Sequence, residues 1–236
     1  MKLNCNEIID LESWFCIAPP EGGKMQWKDG RSAKELARYL TSSLPELPKE
    51  MEKAIFPLTS KTAIFDWCAE HETELPGKGH SRQHDSALWN SDLFVGIEAK
   101  ADEPFGNSYV SESYLAQNCS ENKKRRIKSL CSMLWGKEDD PIRHTDIRYQ
   151  LLAASTACLL EAFRRRLKKA MLLILVFKKD GYYEQENINK NNADLDAFLR
   201  ACDAVPKENG YLLQTTYGKN NGINLFVQKI EIAIST

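Results

Sequence analysis

Glu98-Ala99-Lys100 sets a carboxylate and an ammonium two residues apart, at the end of the apolar run 93–100, LFVGIEAK. On a strand, residues i and i+2 share a face, so the two charges project together. Taken alone the pair is a weak signal. A second Glu-x-Lys stands at Glu121 and Lys123, and the ordinary reading is a solvated ion pair. The context changes this, because charges at the mouth of a buried strand are paired or bind metal. Asp85 lies thirteen residues before Glu98. If a hairpin closes around Asn90-Ser91-Asp92, Asp85 comes beside Glu98 and Lys100. Two carboxylates plus waters suit Mg²⁺ (or Mn²⁺), which keeps part of its hydration shell. Such an ion would polarise a phosphoryl oxygen and lower the pKa of bound water. Lys100 would orient or deprotonate that water, or neutralise charge building on the phosphate. That chemistry is metal-dependent phosphodiester hydrolysis.

The elements that must position these residues follow from pattern. Residues 32–43 read as a short helix, with Ser32 as N-cap and Glu35 completing a capping box. Residues 44–48 hold two prolines and break the chain. A second short helix covers 50–56, and 63–74 fits helix or strand equally. Residues 76–84 read as loop, followed by the strand 85–89, the turn 90–92 and the strand 93–100, which make a hairpin. A helix with a basic start covers 121–134, and 136–141 is a polar linker. The strongest helix spans 146–169, capped by Thr145 or Asp146, with a small-residue face of Ala153, Ala154 and Ala157 suited to packing on a sheet. Residues 170–177, AMLLILVF, form a fully buried strand. A helix over 192–202 follows, then strands 211–217 and 223–232 around an Asn-Gly turn at 221–222. The fold class is α/β with a mixed sheet, and a single domain over 1–236 is expected.

Asp85 followed by Glu98-Ala99-Lys100 on the next strand resembles the core motif of the PD-(D/E)XK, or restriction-endonuclease-like, nuclease superfamily. The strings GIEAKADEPFG (96–106) and IRYQLL (147–152) are similar to a bacterial branch of it. The resemblance is clearest over 84–177. It implies an α-β-β-β-α-β core within about 63–177, with 1–62 and 178–236 as peripheral elements. It makes Asp85 and Glu98 metal ligands and Lys100 the catalytic lysine. It matches Gln150 to a polar position near the site, although an ordinary helix-surface Gln fits as well; Arg148 carries a weaker case. It also expects a glutamate on a first core helix. Glu35, Glu70 and Glu72 compete for that role, and Glu70 is chosen because it precedes the hairpin most closely. Glu103 fits either a place near the metal or a loop cap. The function implied is DNA cleavage by a metal-dependent nuclease, with DNA favoured over RNA as partner and a homodimer compatible. The alternative is a catalytically inactive module of the same fold that binds nucleic acid or a protein.

Charge sets limits on this. Lys plus Arg number 32 against 33 Asp plus Glu, a net charge of −1, which excludes a protein that holds nucleic acid by bulk charge. Ten of those basic residues lie in KKRRIK (123–128) and RRRLKK (164–169). They flank a phosphate path or are solvated helix ends, the second run also suiting a helix C-terminus. The apolar fraction of 42% supports a sizeable core. Seven scattered cysteines without a CxxC pair point to reducing cytosol and no zinc knuckle, and Cys158 reads as a buried small hydrophobe. No apolar run approaches the ~20 residues of a membrane helix. His80 and His84 lie near Asp85, but loop histidines ordinarily have no special role.

Overall fold

The computed structural model describes residues 2–3, 8–60, 63–77, 79, 81–179 and 181–234. In chain order its elements are β1 (Lys2–Leu3), α1 (Leu11–Ile17), α2 (Ser32–Thr41), α3 (Lys49–Ile55), β2 (Asp66–Thr73), β3 (Arg82–Trp89), β4 (Leu93–Lys100), α4 (Val110–Leu115), α5 (Glu121–Trp135), α6 (Tyr149–Arg164), β5 (Lys169–Lys178), α7 (Gln185–Ala201), β6 (Val205–Lys207), β7 (Gly210–Leu213), α8 (Thr216–Asn221) and β8 (Asn224–Ala233). Eight strands form one mixed sheet in the order β1-β2-β3-β4-β5-β8-β7-β6. The β2-β3-β4 meander is antiparallel, and β4, β5 and β8 run parallel.

Strand β5 lies between two parallel neighbours, so both its faces are covered and its apolar run is continuous rather than alternating. Ala170, Leu172 and Ile174 join a core with α5 and α6; Met171, Leu173 and Leu175 join a second core with α1, α2 and α3. Each fully buried Leu or Ile contributes about 1.5–3 kcal/mol, so helices are needed on both faces. The small face of α6 meets the sheet as expected, with Ala153, Ala154, Ala157 and Cys158 all buried.

Several boundaries differ from the sequence reading, each for a local reason. The cap of α2 is Arg31, not Ser32; Glu35 accepts from the Gly30 N–H instead of closing a capping box. The 63–74 segment resolves as strand β2, paired with β3. Strand β3 begins at Arg82, inside the stretch read as loop, because pairing with β2 reaches Thr73↔Arg82. Helix α6 starts at Tyr149 without a side-chain cap from Thr145 or Asp146. It stops at Arg164 because Arg166 turns left-handed, Leu167 N–H reaches Ala162 O and the Leu167 side chain is buried. The 192–202 helix starts earlier, at Gln185. The 211–217 strand ends at Leu213, since Thr215 Oγ1 accepts from Gly218 N–H and starts α8. Gly222, at φ 65°, ends that helix, so Asn-Gly is a helix stop and not a hairpin turn. Among the described residues no helix is long and apolar enough to cross a membrane.

Candidate functional site

The site grows from a parting of strands. Pairing of β3 with β4 ends at Ser86↔Ile97, while β3 stays paired with β2 and β4 stays paired with β5 to Lys100↔Val176. Beyond Ile97 the β4 backbone has lost its β3 partner. Asp85 fills the gap, its Oδ2 accepting from Ala99 N–H at 2.7 Å. Side-chain alternation lapses at the same point. Ser86 bonds Trp67 on the α2 side of the sheet, yet His84 packs against Gly96 and Cys158 on the α6 side.

Glu98 and Lys100 do share a face. Glu98 bonds Gln150 of α6, and the Lys100 ammonium lies 5.7 Å from the centre of the Phe105 ring, which belongs to the same core as α6. Asp85 is their neighbour in the chain fold but lines a cavity of about 460 Å³ walled by α1, α2 and the segment between them. Glu70, Arg82 and Glu103 line it too.

Glu98 is the most heavily bonded group of the site. It is 1% exposed. Oε1 lies 2.9 Å from His84 Nδ1, and Oε2 accepts from Gln150 Nε2 at 2.8 Å and from the Arg82 guanidinium. Burial works to raise its pKa, but Arg82, His84 and Lys100 outweigh burial and hold the carboxyl down at about 2. His84 is fully buried, which lowers its pKa against the pull of Glu98. Asp85 behaves oppositely. Burial and then repulsion from Glu98 push it up to about 6, with Lys100 pulling the other way. Glu70 is pushed up to about 8 by burial, Asp85 and Glu98. It faces Asp85 across β2 and β3, between the pairs Ala69↔Ser86 and His71↔His84, with φ 50°.

Other predicted residues fall in place or away. Gln150 is in the site, and its Oε1 is buried with no hydrogen-bond partner among the described residues. Glu70 is on a strand, not on a helix. The buried glutamate of α2 is Glu35, which is engaged by Gly30 N–H and Arg38. Glu103 caps its own loop through Ala101 N–H and also bonds the Ser32 hydroxyl. Arg148 pairs with Asp194 at 2.7 Å and stacks 4.1 Å from the Tyr109 ring, tying α6 to α7. RRRLKK lies at the opposite end of the sheet, since Lys169 pairs with Leu93 and not with Lys100; seven strand residues separate these ends by about 23 Å. Arg164 and Arg165 pair with Glu161 there. In KKRRIK, Arg126 is buried and donates to Gly77 O, while Lys123, Arg125 and Lys128 are exposed. His80 lies outside the described residues.

Arg82 was not foreseen as a site residue, and His84 was weighed only as a loop histidine near Asp85. Both lay in a segment read as loop. The available signal was their two-residue spacing ahead of DSALW, which extends the strand period backwards.

Hard oxygen donors suit Mg²⁺ or Mn²⁺. Asp85 and Glu70 are held up by burial and by the neighbouring carboxylates, and the unpartnered Gln150 Oε1 sits beside Glu98. In chemistry and charge, therefore, the residues fit a divalent cation. Among the described residues the acidic groups here do not form a set of three with ligand atoms within 4.8 Å; Cys131, Asp139 and His144 do.

Fold and site together define an α/β protein with a carboxylate–lysine cluster where two strands of a mixed sheet part. The chain belongs to the DUF6946 family, described as a domain of unknown function, whose family model matches residues 8–234. No curated protein and no solved structure matches it.

Proposed function

We propose that this chain is a divalent-metal-dependent nuclease that hydrolyses phosphodiester bonds in DNA. The observation that carries the reading is the parting of β3 from β4, which leaves Asp85, Glu98 and Lys100 at one end of the sheet, with Asp85 lining an open cavity. Support also comes from element order: strands β2, β3 and β4, helix α6 and strand β5 follow the β-β-β-α-β part of the order that the resemblance implies, with α4 and α5 inserted before α6 and the helices preceding β2 lying outside 63–177. Asp85 and Glu98 would hold the cation, with Glu70 beside them. When bound, the cation supplies phosphoryl polarisation and a more acidic water. Lys100 supplies positive charge against the phosphate as it gains electron density. Gln150 and Arg82 fix the Glu98 carboxylate, and His84 holds it from beneath.

The test is cleavage of linear and supercoiled DNA with Mg²⁺ or Mn²⁺, in native protein and in Lys100→Ala and Asp85→Ala. Loss of cleavage in both supports the reading; survival of full activity in both sinks it. A second reading is an inactive module of the same fold that binds nucleic acid or a protein. The observation favouring it is that both oxygens of Glu98 are already engaged by protein groups. It predicts no cleavage with either metal.

A further inference from the structure

The C-terminal part of α5 and the turn after it bring a second set of chemically active groups together, sharing no residue with the site above. Cys131 lies on the buried side of α5, Asp139 in the loop beyond it and His144 just after a short 3₁₀ turn at residues 141–143. One ligand atom from each lies within 4.8 Å of the other two. His144 Nε2 is 2.8 Å from Asp139 Oδ2, and the two side chains are only 12% and 14% exposed.

The arrangement is held from several sides. His144 N–H donates to Pro141 O, and His144 O accepts from Ser111 N–H. Trp135 stacks on the imidazole, with ring centres 3.9 Å apart and planes 22° apart. Asp139 N–H donates to Gly136 O, closing the turn after the helix. Asp140 is committed elsewhere, accepting from Ile142 N–H. The ring and the carboxylate are thus set by backbone and stacking and not by free rotation of surface side chains.

We infer that Cys131, Asp139 and His144 form a binding site for a borderline-soft divalent cation, Zn²⁺ above all. Thiolate and imidazole select Zn²⁺ over Mg²⁺ or Ca²⁺, which prefer all-oxygen sets. One thiolate and one carboxylate balance a double positive charge, and with one neutral imidazole they leave a fourth position for water. The cation would pin the turn after α5 to the helix. A cysteine must give up its thiol proton to ligate, so about one proton leaves per ion bound.

The experiment uses the full chain, stripped with a chelator and titrated with Zn²⁺ against a chromophoric competitor. A parallel Co²⁺ titration reads the sulfur-to-cobalt charge-transfer band. The expected result is one ion per chain that carries that band, apart from any held by oxygen ligands at the other site. Cys131→Ser should abolish the band, and Cys131→Ser and His144→Gln should each weaken binding by at least about 100-fold, since loss of even an outer-shell partner costs 10–100-fold. Asp139→Asn, in the loop, is the variant to read if Cys131→Ser fails to fold. Asp85→Ala, in the other site, should keep the band-bearing ion with native affinity. Native protein that binds no Zn²⁺, or binding that survives Cys131→Ser and His144→Gln but is lost in Asp85→Ala, overturns the assignment.

Discussion

Replacing Glu98 with alanine removes a carboxylate that serves three partners at once. Arg82 loses its ion pair, and His84 and Gln150 each lose a hydrogen bond. His84 is completely enclosed and Glu98 is 1% exposed, so water cannot easily replace what is lost. Breaking a buried charge pair by deleting one member costs about 3–5 kcal/mol. A protein domain has roughly 5–15 kcal/mol of stability in all. Glu98→Ala should therefore lower the urea midpoint strongly in metal-free buffer, while Glu98→Gln, which keeps the volume and one acceptor, should cost about 1–3 kcal/mol. Asp85→Asn is the contrast. The Asp85 carboxyl is pushed up to about 6, so above that pH its charged form opposes folding. The amide can still accept from Ala99 N–H. Asp85→Asn should unfold at an equal or higher urea concentration at pH 7, as expected for a residue kept for function at the expense of stability. The readout is urea unfolding followed by far-UV circular dichroism. A Glu98→Ala protein within about 1 kcal/mol of native would refute the view that Glu98 anchors this end of the sheet.

Gly96→Ala should destabilise the chain by about 1–3 kcal/mol, because the new Cβ would lie 2.7 Å from His84 Cε1 and 2.8 Å from Cys158 Sγ; thermal melts check this, and an unchanged midpoint would contradict the packing. Glu161 predicts a pH dependence at the other end of the sheet. Burial works to raise its pKa, but His71, Arg164 and Arg165 hold it down to about 2. A depressed carboxyl stabilises the fold above the ordinary carboxylate value and loses that effect as pH falls towards 2. The gap between native protein and Glu161→Gln should be about 2–3 kcal/mol at pH 7, discounted for solvent around Arg164, and should close on acidification; a gap that widens at low pH would contradict it.

Much of the fold was legible because burial imposes periodicity. The doubly covered strand β5, the small face of α6 and the β3–β4 hairpin all follow from side-chain pattern alone. What escaped was set by tertiary pairing and backbone reversal. Helix α6 stops where Arg166 turns left-handed and buries Leu167, a choice made by the core and not by the helix-favouring run RRRLKK. The Asn-Gly at 221–222 carries the same local signal in a hairpin turn and in a helix stop, and only the Thr215 cap tells them apart. In the site, Glu98 and Lys100 followed from the strand period. The turn of Asp85 towards the α2 side did not, because it depends on where β3 leaves β4. Arg82 went unseen and His84 was discounted, since charged and aromatic polar residues near glycines look like loop until a partner strand claims them.

The central claim is that Asp85, Glu98 and Lys100 cleave DNA with a divalent cation. Its most direct test is the single-turnover rate of DNA cleavage in Mg²⁺ for native protein and for Lys100→Met, with folding verified by circular dichroism. Loss of a group that stabilises the transition state should lower the rate by about 100-fold or more in a variant that still folds. A folded Lys100→Met protein that cleaves at the native rate, or a native protein that cleaves no DNA in Mg²⁺ or Mn²⁺, would contradict the claim.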